Sequence, residues 1–104
     1  MKTIWKYTIP LEDYSEVVVK RHSIPLCVHQ SRGFLTGEYL IHVWMLVDTD
    51  EDEIAYSFFV VGTGHPVPDG VEYIGTIHAD DGFVWHIFYA MGFLGIVGIE
   101  RESQ

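Results

Sequence analysis

The sequence predicts an all-β protein, a small antiparallel β-sandwich or partly open barrel of about seven strands. Three observations lead there. Apolar and polar residues alternate at period two along most of the chain, the mark of half-buried strands. Gly, Pro, Asp and Ser turn signals separate these runs at short intervals. No stretch shows helical periodicity of useful length, and short strands in series close into a sandwich or barrel.

The elements follow in order. Residues 3–9 alternate and stop at Pro10, with room for one helical turn near Pro10 to Tyr14. Residues 16–20 are a short β-branched run. Ile24 to Gln30 reads as a strand whose early Pro25 assigns it to a sheet edge. Ser31-Arg32-Gly33 is a turn candidate, and residues 39–47 form a long apolar and aromatic strand. Asp48-Thr49-Asp50-Glu51-Asp52-Glu53 is a solvated connection. Residues 55–61 and 71–78 are two further strands. Ala79-Asp80-Asp81-Gly82 carries the Asp-Gly hairpin signal, so that residues 83–89 return antiparallel to 71–78.

The 104 residues are expected to form one β domain spanning 1–104, with an apolar tail at 90–99. Residues 83–99 are apolar apart from His86, near the lower limit for a membrane span. The hairpin and the absence of a preceding cationic flank favour a final strand, in the core or across a subunit interface. An exposed apolar strand is a hazard unless paired, so a homodimer is expected and a membrane is not. The N-terminus lacks the apolar run of a signal peptide. A single cysteine, Cys27, excludes an internal disulfide and fits a reducing cytoplasm.

The net charge of -9 is unevenly spread. Lys2, Lys6, Lys20, Arg21 and Arg32 all precede Gly33, and residues 33–100 contain no Lys or Arg. A nucleic-acid binder needs cations to displace condensed counterions, so direct nucleic-acid binding is not expected. An acidic surface instead steers toward a basic protein surface, or simply keeps a small domain soluble.

Several motifs invite chemistry. Gly62, Thr63, Gly64 and His65 lie between two strands, where glycines let backbone N–H groups converge on an anion. The loop lacks the Lys and following helix of a phosphate loop, and a strand-to-strand turn capped by His65 explains it equally. Lys6, Lys20, Arg21 or Arg32 from a neighbouring strand or subunit would supply the missing charge. His78 and His86 flank the Asp80-Asp81-Gly82 turn, and with His65 they are candidate metal ligands. Ordinary strand histidines are the simpler reading. Cys27, between Leu26 and Val28, reads as a small core residue rather than a nucleophile. Trp5, Tyr7, Trp44, Phe58, Phe59, Tyr73, Phe83 and Trp85 are expected mostly in the core, with some facing outward as anchors. Asp48, Asp50, Glu51, Asp52 and Glu53, with Asp80 and Asp81 and the Asp69 and Glu72 turn, would form a negative patch if these turns share one end of the sandwich. Otherwise they are solvated loops.

The Trp5-Lys6-Tyr7 start with Ile9-Pro10-Leu11, the Val60-Val61-Gly62-Thr63-Gly64-His65-Pro66 loop, Tyr73-Ile74-Gly75-Thr76 and Val84-Trp85-His86 together resemble a family of small proteins encoded by bacteriophages and prophages. The resemblance covers about residues 4–88 and implies a phage origin and the cytoplasm of a bacterial host. It implies no activity. Residues 21–30 and the tail after Tyr89 depart from the pattern.

The expectation that gathers most of these features is a phage-encoded, non-enzymatic binding protein. It would inhibit a host factor, a component of antiviral defence, through its acidic surface, without a cofactor. The first alternative is a sponge that sequesters a nucleotide second messenger at the Gly62 to His65 loop. The second is a small metal-dependent hydrolase built on His65, His78 and His86.

Overall fold

The computed structural model describes residues 1–92 of the 104. The strands are β1 (Lys2–Pro10), β2 (Tyr14–Lys20), β3 (Ile24–Arg32), β4 (Tyr39–Asp48), β5 (Glu53–Gly62), β6 (Glu72–His78) and β7 (Val84–Met91). Every strand read from the sequence is present, with bounds within two residues. The stretch between β1 and β2 is a bend rather than a helical turn. Ala90 and Met91 belong to β7; the rest of the expected tail strand, 93–99, lies outside the described residues.

Two antiparallel sheets pack face to face without closing into a barrel. The first has the order β1-β4-β3, the second β2-β5-β7-β6. Alternation sorts their side chains. Ile41, Val43, Met45 and Val47 of β4 point inward with Ile9, against Tyr56, Phe58 and Val60 of β5, Ile87 of β7 and Ile77 of β6. Removing such side chains from water stabilises the fold by roughly 1.5–3 kcal/mol each. The Tyr56 hydroxyl is satisfied by donating to the Ser23 carbonyl at 2.8 Å.

β5 is buried along nearly its whole length, so it is covered on both faces. Both β5 and β6 pair antiparallel with β7, so they run in the same direction. The connection 63–71 must therefore cross back over the sheet. It does so on the outer face, where Val71 packs with Phe59, Val61, Phe88 and Ala90. At the seam between the two sheets β3 meets β6. A Cβ built at Gly75 would stand 2.8 Å from Val28 Cγ2, so any larger residue there would have to displace Val28.

The registers give the molecule two ends. Met1, the β2–β3 turn and the β4–β5 turn share one: the Thr49 N–H donates to the Met1 carbonyl and the Arg21 N–H to the Asp52 carbonyl. The β3–β4 and β6–β7 hairpins share the other, together with Gly62, which pairs with Trp85. No helix long and apolar enough to cross a membrane occurs among the described residues.

Candidate binding surfaces

The Gly62 to His65 segment is a tight turn. The His65 N–H donates to the Gly62 carbonyl at 3.1 Å, and Gly64 at φ 91° supplies the positive φ that the third turn position requires. The Thr63 hydroxyl lies 2.9 Å from His86 Nε2; His86 Nδ1 lies 3.0 Å from the Thr76 hydroxyl, which meets the Tyr73 hydroxyl. This hydrogen-bonded chain crosses the outer face of β5, β7 and β6. Two of the groups expected to face an anion, the His65 N–H and the Thr63 hydroxyl, are thus engaged within the protein. A groove of about 530 Å³ adjoins the turn, walled by Tyr14, Phe59, His65, Pro66 and Trp85.

Three of the four expected cations are placed away from this turn within the chain. Lys6 stands opposite Trp44 on the outer face of the first sheet, turned away from β5. Arg21 is at the far end, bonded to both oxygens of Asp52 at 2.8 and 3.2 Å. Those bonds hold the Asp52 carboxyl below its ordinary range. Lys20 pairs with Glu53 at the same end, whereas Arg32 closes β3 at the hairpin end that Gly62 shares, facing Asp80 and Tyr39. Within one chain the fold therefore separates Lys6 and Arg21 from the turn.

The histidines proposed as metal ligands are placed as follows. His78 stands opposite Val84 and His86 opposite Thr76, so the two are diagonal neighbours on one face, with both His86 ring nitrogens in contact with hydroxyls. Among the described residues no three His, Cys, Asp or Glu side chains are grouped to hold a metal.

The acidic turns do not form one patch. Asp48, Asp50, Glu51, Asp52 and Glu53 sit at the Met1 end, and Asp80 and Asp81 at the other. At the Met1 end, two cations, the Met1 ammonium and Arg21, meet three of the five carboxylates. The Met1 ammonium lies 3.1 Å from Asp48 and 2.8 Å from Asp50, and its pKa is raised by these contacts, the Asp50 hydrogen bond foremost. The Asp48 carboxyl is held below its ordinary range, first by the Asp50 backbone N–H. His22 faces Glu51 at 3.3 Å.

Cys27 is exposed, contrary to expectation. An irregularity between Pro25 and Cys27 shifts the register and sets Cys27 opposite Trp44 on the outer face. Trp5, Tyr73 and Phe83 are likewise exposed, and Trp44 faces outward.

The feature that sequence reading passed over is the tip of the β3–β4 hairpin. Ser31 and Arg32 are still strand, and the turn is Gly33 to Glu38. The Gly33 N–H donates to the Glu38 carbonyl at 2.8 Å, and the Gly37 N–H to the Gly33 carbonyl at 2.9 Å. Gly37 takes φ 69°, and the Glu38 N–H donates to the Thr36 hydroxyl. This closed turn holds Phe34 and Leu35 out in water, 99% and 91% exposed. The sequence signal was there: two large apolar residues enclosed by two glycines. Beside the tip, Arg32 stacks over the Tyr39 ring at 4.2 Å and hydrogen-bonds its hydroxyl. Tyr39 donates to Asp81 at 3.3 Å, and Arg32 lies 4.0 Å from Asp80. These contacts tie the tip to the β6–β7 hairpin, whose Phe83 is exposed and stacked on Trp85. The end of the molecule thus presents three apolar side chains bordered by Glu38, Asp80 and Asp81.

A protein-family model described as Domain of unknown function (DUF7352) matches residues 1–92, and the chain belongs to that family. No curated protein and no solved structure matches the chain.

Proposed function

We propose that this protein is a non-enzymatic binding protein that occupies a surface of another protein with its hairpin end. The observation that carries the reading is the exposure of Phe34 and Leu35 on a turn that backbone hydrogen bonds already close. Apolar side chains held rigidly in water lose little further freedom on docking, and buried aromatic anchors supply most of the free energy at such contacts. Glu38, Asp80 and Asp81 around them complement a pocket rimmed by Lys or Arg, and disfavour an anionic membrane surface. The partner is a host bacterial protein with a basic surface, and the chain an inhibitor of it encoded by a phage. The phage-type resemblance supports that origin, and an antiviral defence component is the expected class of target.

The test is capture from a bacterial host lysate with immobilised full chain, beside a Phe34→Ser/Leu35→Ser variant. A partner retained by the parent chain, lost by the variant and released by added salt supports the reading. Equal retention by both chains would overturn it.

A further inference from the structure

The outer face of the first sheet is a second exposed apolar surface, remote from the hairpin tip. Register sorts it into rows across β1, β4 and β3. Ile4, Leu46 and Ile24 share one row, and Lys6, Trp44 and Cys27 the next, with Leu26 at the irregularity beside them. Ile4 is 55% exposed, Ile24 52% and Leu26 46%. The second sheet has its outer face covered by the 63–71 connection; nothing among the described residues covers this one.

We propose that this face pairs with the same face of a second copy of the chain. Charge is the first argument. Two chains of net charge -9 repel, so they meet best where carboxylates are absent. Between Ile4 and Pro10 on β1, and across the matching residues of β4 and β3, the outward positions hold Lys6, His42 and His29 and no Asp or Glu. The first acid is Asp48, at the border, and the Met1 ammonium binds it. The second argument is that the edges of this sheet are guarded. Pro25 and the irregularity interrupt β3, while Lys2, Lys6 and Pro10 occupy β1, so strand addition at either edge is disfavoured. Association is left to the face, in the aligned sheet-on-sheet geometry that sandwiches use.

The area sets the strength. Three strands about 4.8 Å apart and about 20 Å long give a footprint on the order of 300 Å². Even when side-chain relief doubles it, this stays below the roughly 800 Å² per partner of stable complexes. The dimer is therefore reversible and concentration-dependent. Because it joins like-charged chains through an apolar face, added salt strengthens it, opposite in sign to the partner binding at the hairpin end.

Sedimentation velocity on the full chain from micromolar to submillimolar concentration tests this, with Ile4→Asp/Leu26→Asp alongside. The expected result is a monomer–dimer equilibrium that shifts to dimer with salt, and a variant that stays monomeric while keeping its β circular dichroism. Cys27 gives a second reading that needs no variant, since its thiol lies on the face. Its rate of reaction with iodoacetamide is expected to fall as the dimer fills. A monomer at every concentration, a dimer that persists in the variant, or a Cys27 rate indifferent to dimerisation would each overturn the proposal.

Discussion

His42 links three strands. Its Nδ1 lies 3.0 Å from the Thr8 hydroxyl on β1 and its Nε2 2.6 Å from the Ser31 hydroxyl on β3. Burial first, then Lys6 and His29, lowers its pKa from the ordinary value near 6.5. The folded state therefore takes up a proton at lower pH than the unfolded chain. Stability is full above about 6.5 and declines as pH falls from there through the depressed folded value. His42→Gln should flatten the thermal midpoint against pH across that window, and an unchanged slope would show that His42 does not cause it. Packing is as local. Gly75→Ala forces a Cβ to within 2.8 Å of Val28 Cγ2, a stiff branched side chain, and should destabilise by about 1–3 kcal/mol in urea unfolding. Ser15→Ala should be neutral or slightly stabilising in the same assay, because the buried Ser15 hydroxyl has no hydrogen-bond partner. None of these positions could be singled out in the sequence, because each depends on which strand lies opposite.

At the scale of elements, the seven strands were legible because each buries one face and writes that face into its residues at period two. Asp80-Asp81-Gly82 was legible as a tight turn because its chemistry is local. The Gly82 N–H donates to the Ala79 carbonyl, and Gly82 takes φ 90°. Cys27 was misread because an irregularity two residues after the strand begins moves the next side chain to the other face, and Leu26-Cys27-Val28 carries no mark of it. The crossover 63–71 was illegible for a similar reason: Phe58-Phe59-Val60-Val61 is apolar on both faces, but not what covers the second one. The acidic β4–β5 turn makes a prediction at this scale. Asp48 and Asp52 are held below the ordinary carboxylate range, so their stabilisation is present above about pH 4 and is lost as pH falls through the lower folded values. Asp52→Asn should lower stability slightly at neutral pH, since the Arg21 pair is exposed, and the variant and parent curves should converge at acid pH in thermal unfolding. The β3–β4 tip behaves differently. Phe34→Ser/Leu35→Ser should leave the thermal midpoint almost unmoved, because these side chains are nearly fully in water, whereas Gly37→Ala should lower it by about 1 kcal/mol of stability through its positive φ.

For the whole molecule, charge and apolar exposure divide the surface by task. The Met1 end holds the five acids of the β4–β5 turn, three of which meet the Met1 ammonium or Arg21. The hairpin end keeps Asp80 and Asp81 beside Phe34, Leu35 and Phe83, with Arg32 as their cation. The outer face of the first sheet is apolar around Ile4, Ile24, Leu26 and Trp44, with its first carboxylate at the border, Asp48. The candidate site expected from sequence was in part a composite of residues that the fold separates: Lys6 and Arg21 are far from Gly62, and the acidic turns lie at opposite ends. Composition located the charge, and only the pairing of strands located its neighbours. The two contacts should answer salt with opposite signs, binding at the hairpin end weakening and self-association strengthening. The most direct test of the central claim is capture from host lysate at low and raised salt, comparing the parent chain with Phe34→Ser/Leu35→Ser. A bacterial protein held by the parent at low salt, and lost both on substitution and in salt, is the predicted result. The same proteins held by both chains, or by neither, would contradict it.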